Sequence, residues 1–477
     1  MSEGHRKSRI LYWLAGGVIV LAVPVIATAL LMYRVWRPAP EASYPPPASP
    51  AEANLQDLDY LGKVAERDRS FTPEARAGFR RRLAELMPQA ATFDRARLAV
   101  EVARLTALAD NGHTNAVIYF GKGSFRSLPI RLGTFADGLF VVKAREDSVE
   151  FLGAELLAVD GRPIDQLLGQ LRNFIGGADT LFANHAPRLL TSPELLHAAG
   201  LGDNPTQSRL RLRLPDGTEI ERTLSASTSE PLSRKNYWPV RDLSPVPIVN
   251  NPGGNVVWPH VLHRRRVPIY LSRPDQAYWH ETSEESRLLY LQINRIKNSW
   301  PEPLETYLDS VLGEIRVKGI KTVAVDLRFN RGGDYLLTAD FTRRLAETVP
   351  ADGRIFILTG TNTYSAGIVT LARLRYFAGE RGLQIGGPVG DRGQFWGEGG
   401  RVVLPNSRIS IRYATGYHDW EKGCGLTDIT RCFLFNYVFG VAPGSLAPQV
   451  ETRLTFADYL AGRDPAMEEV LKRMVRP

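Results

Sequence analysis

The stretch Thr322–Asp334, "TVAVDLRFNRGGD", decides the fold. Its first six residues are a near-continuous apolar run, the pattern of a strand buried on both faces. Similar runs flank it: "LLYLQI" (Leu288–Ile293) before, then "IFIL" (Ile355–Leu358) and a short "LQI" (Leu383–Ile385) after. Between them lie helical patterns: a stripe of Leu304, Leu308, Val311 and Ile315, a segment from Asp334 to about Glu347, and a segment opening at Ser365. Apolar strands separated by amphipathic helices imply a parallel sheet with crossover helices. "RFNRGGD" then leaves the carboxyl end of a strand, where ligands bind in such sheets.

A second loop, "TGTNTYSAG" (Thr359–Gly367), is expected beside it. Gly332 and Gly333 let the backbone approach a ligand closely and turn amides toward it. Ser365 at a helix start gains the positive end of the dipole, and the amide of Ala366 can bind developing negative charge. A serine with two oxyanion donors is the minimum for acyl transfer. The plain alternative is a serine N-cap on an ordinary strand–turn–helix. The G-x-S-x-G elbow is absent, because Thr363 stands two before Ser365. For a base, His113 in "DNGHTN" follows a helix stop and is free to project. His418 and Asp419 in "TGYHDWE" form another polar cluster, and Glu398 in "FWGEGG" could orient an imidazole. Spacing alone does not choose among them.

Farther out, Leu55–Asp110 reads as helical. Thr72-Pro73-Glu74 gives an N-cap, a first-turn proline and an early acid, and a further helix begins near Asp94 and stops at Asn111-Gly112. Residues 128–225 change to short alternating strands with turns, with a helix over Ile164–Ile175. Residues 226–287 carry few signals and read as irregular or partly stranded. Residues 38–54 are Pro- and Ala-rich, a semi-rigid stalk. Ahead of the stalk, Ile10–Tyr33 carries no charge and exceeds the ~20 residues that cross a bilayer. Tyr12, Trp13, Tyr33 and Trp36 suit aromatic belts at its ends. Residues 1–37 therefore read as a tail and transmembrane anchor. Arg6, Lys7 and Arg9 before the span, against Arg34 and Arg37 after it, favour the bulk of the chain on the periplasmic or extracytoplasmic side of the inner (plasma) membrane.

The net charge of +8 is spread over 477 residues. Its densest runs, "FRRRL" (Phe79–Leu83) and "HRRR" (His263–Arg266), lack interleaved aromatics, which argues against nucleic acid. The two cysteines, Cys424 and Cys432, have no zinc spacing, and no metal or other cofactor is expected. With an extracytoplasmic location they can close a small disulfide loop.

In chain order, "DNGHT", "LGAELLAVDGRPI", "VAVDLRFNRGGD", "ILTGTNTYSAG", "IGGPVGDRGQFW" and the closing "LAPQVETRLTFADYLAGRDPAMEEVL" resemble the tail-specific or carboxyl-terminal processing serine proteases, a superfamily that includes the tricorn core protease and the interphotoreceptor retinoid-binding protein. The resemblance covers roughly Leu55–Met474. It implies an α/β protein with a ClpP/crotonase-like catalytic domain (288–477), a PDZ-like domain (128–225) and an N-terminal helical segment (55–127). The nucleophile falls on Ser365 and the oxyanion amides on Ala366 and the Gly332-Gly333 loop. One branch uses a lysine base, but Arg392 stands at that position and stays protonated. The tricorn-like branch uses a histidine in the "DNGHT" segment, which points to His113. In that branch a serine precedes the histidine and a glutamate completes a relay; here Gly112 precedes it, and Glu398 and Asp419 are the candidate orienting partners. The expectation is a membrane-anchored serine endopeptidase acting on protein or peptide substrates, with "DGLFVV" (Asp137–Val142) adding a substrate strand to the PDZ-like edge. The alternatives are an inactive, membrane-tethered binding scaffold of the same fold for peptides or apolar ligands, and a crotonase-like enzyme acting on small molecules.

Overall fold

The structure is a computed structural model, and it describes residues 25–26, 28–30, 32–33, 37–117, 125–228, 242–247, 258–262, 267–283 and 285–474. The run Ile10–Tyr33 and the basic run His263–Arg266 lie mostly or wholly outside these residues. Among the described residues no helix is long and apolar enough to cross a membrane.

The apolar runs form one six-stranded sheet in sequence order. Leu288–Ile293, Thr322–Asp326, Arg354–Thr359, Gly382–Gly386 and Val450–Glu451 pair in parallel. Tyr278–Ser283, within the segment that carried few signals, pairs antiparallel along Leu288–Ile293 and caps the sheet. Its polar sequence, "YWHETS", hides it: only one face is buried, through Trp279. Crossover helices Leu304–Lys318, Ala339–Thr348 and Ala366–Ala378 pack their apolar stripes on one another and on the sheet. The stretch after Asp334 opens as a 3-10 turn, Tyr335–Thr338, before the α-helix begins. The loops after Thr322–Asp326 and Arg354–Thr359 therefore leave neighbouring strands at the same end.

A second, antiparallel sheet runs in the order Ile130–Phe135, Gly138–Ala144, Glu155–Val159, Gln207–Arg213, Glu219–Ser225. "DGLFVV" thus lies in a strand paired on both sides and offers no edge. Among the described residues, the sheet's edge strand facing the core is Ile130–Phe135. Between the third and fourth strands come helix Ile164–Leu171, a 3-10 turn Arg172–Phe174, and helices Asp179–Leu190 and Pro193–Ala198. Helix Asp179–Leu190 is hard to read in the sequence because Pro187 sits inside it.

The N-terminal helices are Pro50–Arg67, Pro73–Leu86 and Arg95–Ala107. The first starts inside the Pro-rich stretch, where the Ser49 side chain accepts from Glu52 N–H and Pro50 takes the first helical position. The rest of that stretch is tied down, with Tyr60 donating to Pro40 O and Gln56 to Pro45 O. The domain built on the parallel sheet interlocks with these helices. Its hairpin Gly400–Val403/Ser410–Tyr413 sends Val402, Leu404, Ile409 and Ile411 into the helical cluster and pairs with strand Asn115–Val117.

Candidate active site

Ser365 is the N-cap of helix Ala366–Ala378, with φ +55° and ψ −125°. A non-glycine residue in such a region is strained by ~1–3 kcal/mol and persists only where its surroundings over-determine it. The polar row before it supplies that constraint. Thr363 Oγ donates to Leu327 O at 2.8 Å and accepts from Gly360 N–H at 3.1 Å, and Tyr364 N–H donates to Asn330 O at 2.8 Å. Thr361 donates to Asn184 Oδ1, and Asn362 accepts from Arg331. The side chains of Thr361, Asn362 and Thr363 are each engaged in holding the turn.

The glycine loop packs against it. A Cβ on Gly332 (φ +94°) would lie 2.7 Å from Ser365 Cβ and 3.0 Å from Ala366 N. A Cβ on Gly333 (φ +144°) would lie 1.9 Å from Ile296 O, so no side chain fits there. Gly332 N–H donates to Asn330 Oδ1 at 2.9 Å and Asp334 N–H to Ile296 O at 2.8 Å. That leaves Gly333 as the loop amide for a ligand. Ala366 is the first helical residue, whose amide has no intrahelical acceptor.

His113 reaches this point from the N-terminal segment: its Nε2 lies 2.9 Å from Ser365 Oγ. The loop carrying it is fixed by a buried network in which Thr114 Oγ donates to Asp68 Oδ2 at 2.6 Å, Asp68 Oδ1 accepts from Ser70, and Asn115 donates to Gly112 O. The imidazole is sandwiched between Tyr364 (centroids 4.7 Å) and Phe395 (5.1 Å), both nearly parallel to it. The stack continues through His418 to Trp420. Burial, reinforced by the charges of Arg412 and His418, holds His113 well below the ordinary histidine range, so it is a neutral acceptor at pH 7.

Glu398 and Asp419 are not brought to His113. Glu398 Oε1 sits 3.3 Å from His418 Nε2, on the far side of Phe395. Asp419 accepts from the amides of Glu421 and Lys422 and from the Gln394 side chain. Arg392 turns away and binds Asp110 at 2.7 Å. The carboxylate nearest His113 is Asp391, with Oδ2 3.9 Å from Nδ1. Burial raises its pKa to about 6. Within "GGPVGDRG" it reads as a turn residue.

A cavity of about 480 Å³ lies beside the site, between edge strand Ile130–Phe135, helix Asp179–Leu190 and the core loops bearing Thr361, Asn362 and Gly387. It does not include Ser365 or His113. Cys424 and Cys432 are disulfide-bonded. No cluster of metal-ligating side chains occurs among the described residues.

No protein-family profile and no curated protein sequence matches the chain. Solved structures do. Mature CPAF complexed with lactacystin aligns at 14% identity and a TM-score of 0.54, over 89% of this chain and 98% of that one. Mature CPAF alone gives 15% identity and 0.52, over 89% and 96%. The photosystem II D1 C-terminal processing protease and the tricorn protease give TM-scores of only 0.37 each. At these identities the likeness is one of fold: the chain shares the fold of mature CPAF.

Proposed function

We propose that the protein is a serine peptidase that hydrolyses peptide bonds of protein substrates, with Ser365 as nucleophile and His113 as general base. The observation that carries this reading is the 2.9 Å contact between Ser365 Oγ and a neutral, buried His113 Nε2, made across 252 residues of chain. Oγ gives its proton to Nε2 and attacks the carbonyl carbon. The oxyanion is received by Ala366 and Gly333 N–H, the amine leaves with the proton from His113, and water completes the cycle. Each oxyanion donor is worth about 10²–10³ in rate.

Substrate enters as an added strand on the edge Ile130–Phe135, whose cavity leads to the Thr361-Asn362 loop. Anchoring through Ile10–Tyr33 belongs to the same proposal. It is supported by the absence of charge in that run and by the disulfide, which suits an oxidising compartment. The test incubates full-length protein with a disordered protein and reads fragments by mass spectrometry, alongside Ser365→Ala and His113→Ala. Fragments from wild type alone are the expected result. Equal cleavage by Ser365→Ala overturns the assignment, and no labelling of wild-type Ser365 by a fluorophosphonate, together with no cleavage, puts a binding role in its place.

A further inference from the structure

Three buried side-chain atoms in the site have no hydrogen-bond partner: His113 Nδ1, Asp391 Oδ2 and Tyr364 OH. Unpaired buried polar atoms are rare in folded proteins and call for an explanation. These three converge on one spot beside Gly112. A Cβ built there would lie 2.6 Å from Asp391 Oδ2 and 3.0 Å from Tyr364 OH. Any side chain at 112 would occupy the approach between the carboxylate and the imidazole, so glycine keeps it open. Asp391 Oδ1 accepts from Arg392 N–H at 2.9 Å, while Oδ2 faces Nδ1 at 3.9 Å. Closing that gap to a hydrogen bond needs a movement of about 1 Å. Hydrogen bonds of this kind are often long in unliganded enzymes and tighten when charge develops.

On the reading that Ser365 and His113 form the catalytic pair, we propose that Asp391 is the positioning residue for His113: its Oδ2 accepts the Nδ1 proton and fixes the tautomer that presents Nε2 to Ser365. When the Ser365 proton moves to Nε2, the imidazolium is stabilised by the adjacent carboxylate, which keeps its own charge. Other groups around the pair do not compete for Nδ1. Glu398 and Asp419 are engaged elsewhere, Arg392 is bound to Asp110, and Arg412 and His418 are donors or cations that disfavour the imidazolium. Asp391 thus supplies the negative charge that the other neighbours of His113 lack.

The test compares full-length wild type with Asp391→Asn and Asp391→Glu. The expected result for Asp391→Asn is a kcat lower by roughly 10³–10⁴-fold, a KM within about twofold and a melting temperature no lower than wild type. Asp391→Glu, which keeps the carboxylate, should recover part of the loss. Nitrogen-15 imidazole shifts in histidine-labelled protein, assigned with His113→Ala, read the tautomer without any need for turnover. They should show Nδ1–H in wild type and a shift toward Nε2–H in Asp391→Asn. A kcat within threefold of wild type in Asp391→Asn, or an unchanged tautomer, overturns the proposal. Because the tautomer is read independently of cleavage, a failure of the peptidase reading is distinguishable from a failure of Asp391.

Discussion

Gly332→Ala puts the packing of the two loops to a quantitative test. The new Cβ would stand 2.7 Å from Ser365 Cβ, 3.1 Å from Ser365 Oγ and 3.0 Å from Ala366 N. Carbon atoms rest at about 3.5–4.0 Å from one another, so the loop or the serine must give way by about 1 Å. The neighbour is backbone and a side chain locked by its own helix, not the end of a flexible chain. A misplacement of about 1 Å at a reacting centre costs on the order of 10² in rate. The residue also sits at φ +94°, where alanine is strained by a further ~1–3 kcal/mol of stability. Gly217→Ala separates the two effects. It has a similar φ of +88° and nothing within 4 Å of its added Cβ, so it should lose stability and keep activity. Turnover of a fluorogenic peptide and urea unfolding, measured on both variants, give the answer. If Gly332→Ala cleaves at the wild-type rate, or loses no more activity than Gly217→Ala, the glycine loop does not pack on Ser365 as described.

Other outcomes follow from the same geometry. Asp391, raised from 3.8 to about 6 by burial, binds a proton in the folded state between those pH values while the unfolded chain does not. Folding stability contributed by this group therefore falls as pH rises from about 4 to about 6, and Asp391→Asn should be more stable than wild type at pH 7–8 by about 3 kcal/mol; an equal or lower urea midpoint there contradicts the burial cost. Wild-type kcat/KM should fall as pH drops through about 6, where Asp391 takes up its proton, and the residual activity of Asp391→Asn should not fall there. Arg328 is clamped between Asp326 and Asp464, with Nη1 and Nη2 on the two Asp464 oxygens at 2.7 and 2.9 Å. Arg328→Met leaves both carboxylates buried and unpaired and should cost about 3–5 kcal/mol, read as a shift in the urea midpoint. Replacing Cys424 and Cys432 together by serine should cost about 2–3 kcal/mol for a crosslink of this span, and an unchanged melting temperature would show that the loop is held by its other contacts.

Much of this architecture is written in local pattern. The parallel core follows from apolar runs with helical stripes between them, because strands buried on both faces cannot alternate. The two loops at the carboxyl ends follow from that, and with them the proximity of Ser365 to the glycine pair. His113 stood out locally only as one candidate after a helix stop, and the family resemblance alone chose it among the others, since nothing in the local pattern relates two residues 252 positions apart. Its carboxylate neighbour was not legible at all. Glu398 drew attention through its glycine-rich surroundings, yet the hairpin register that pairs Phe395 with His418 places Phe395 between it and His113. Asp391 became the neighbour through the loop Gly387–Gly393, whose path depends on tertiary contacts such as Gly390 N–H to Thr363 O. The strand Tyr278–Ser283 was foreseen only as part of an irregular or partly stranded segment, and the helix containing Pro187 was not foreseen, for a related reason: packing overrode weak or contrary local propensity.

The strand Asn115–Val117, just beyond His113, is paired with Ser410–Tyr413, which comes from near the end of the chain. The two halves of the proposed catalytic pair are therefore synthesised far apart in time and meet only once the last quarter of the chain is in place. A nascent chain emerging from the ribosome carries a base with no nucleophile, then a nucleophile whose base has no strand to hold it in position. A fragment begun downstream of His113 would keep the serine, both proposed oxyanion amides and the whole core sheet, and would lack the proposed base.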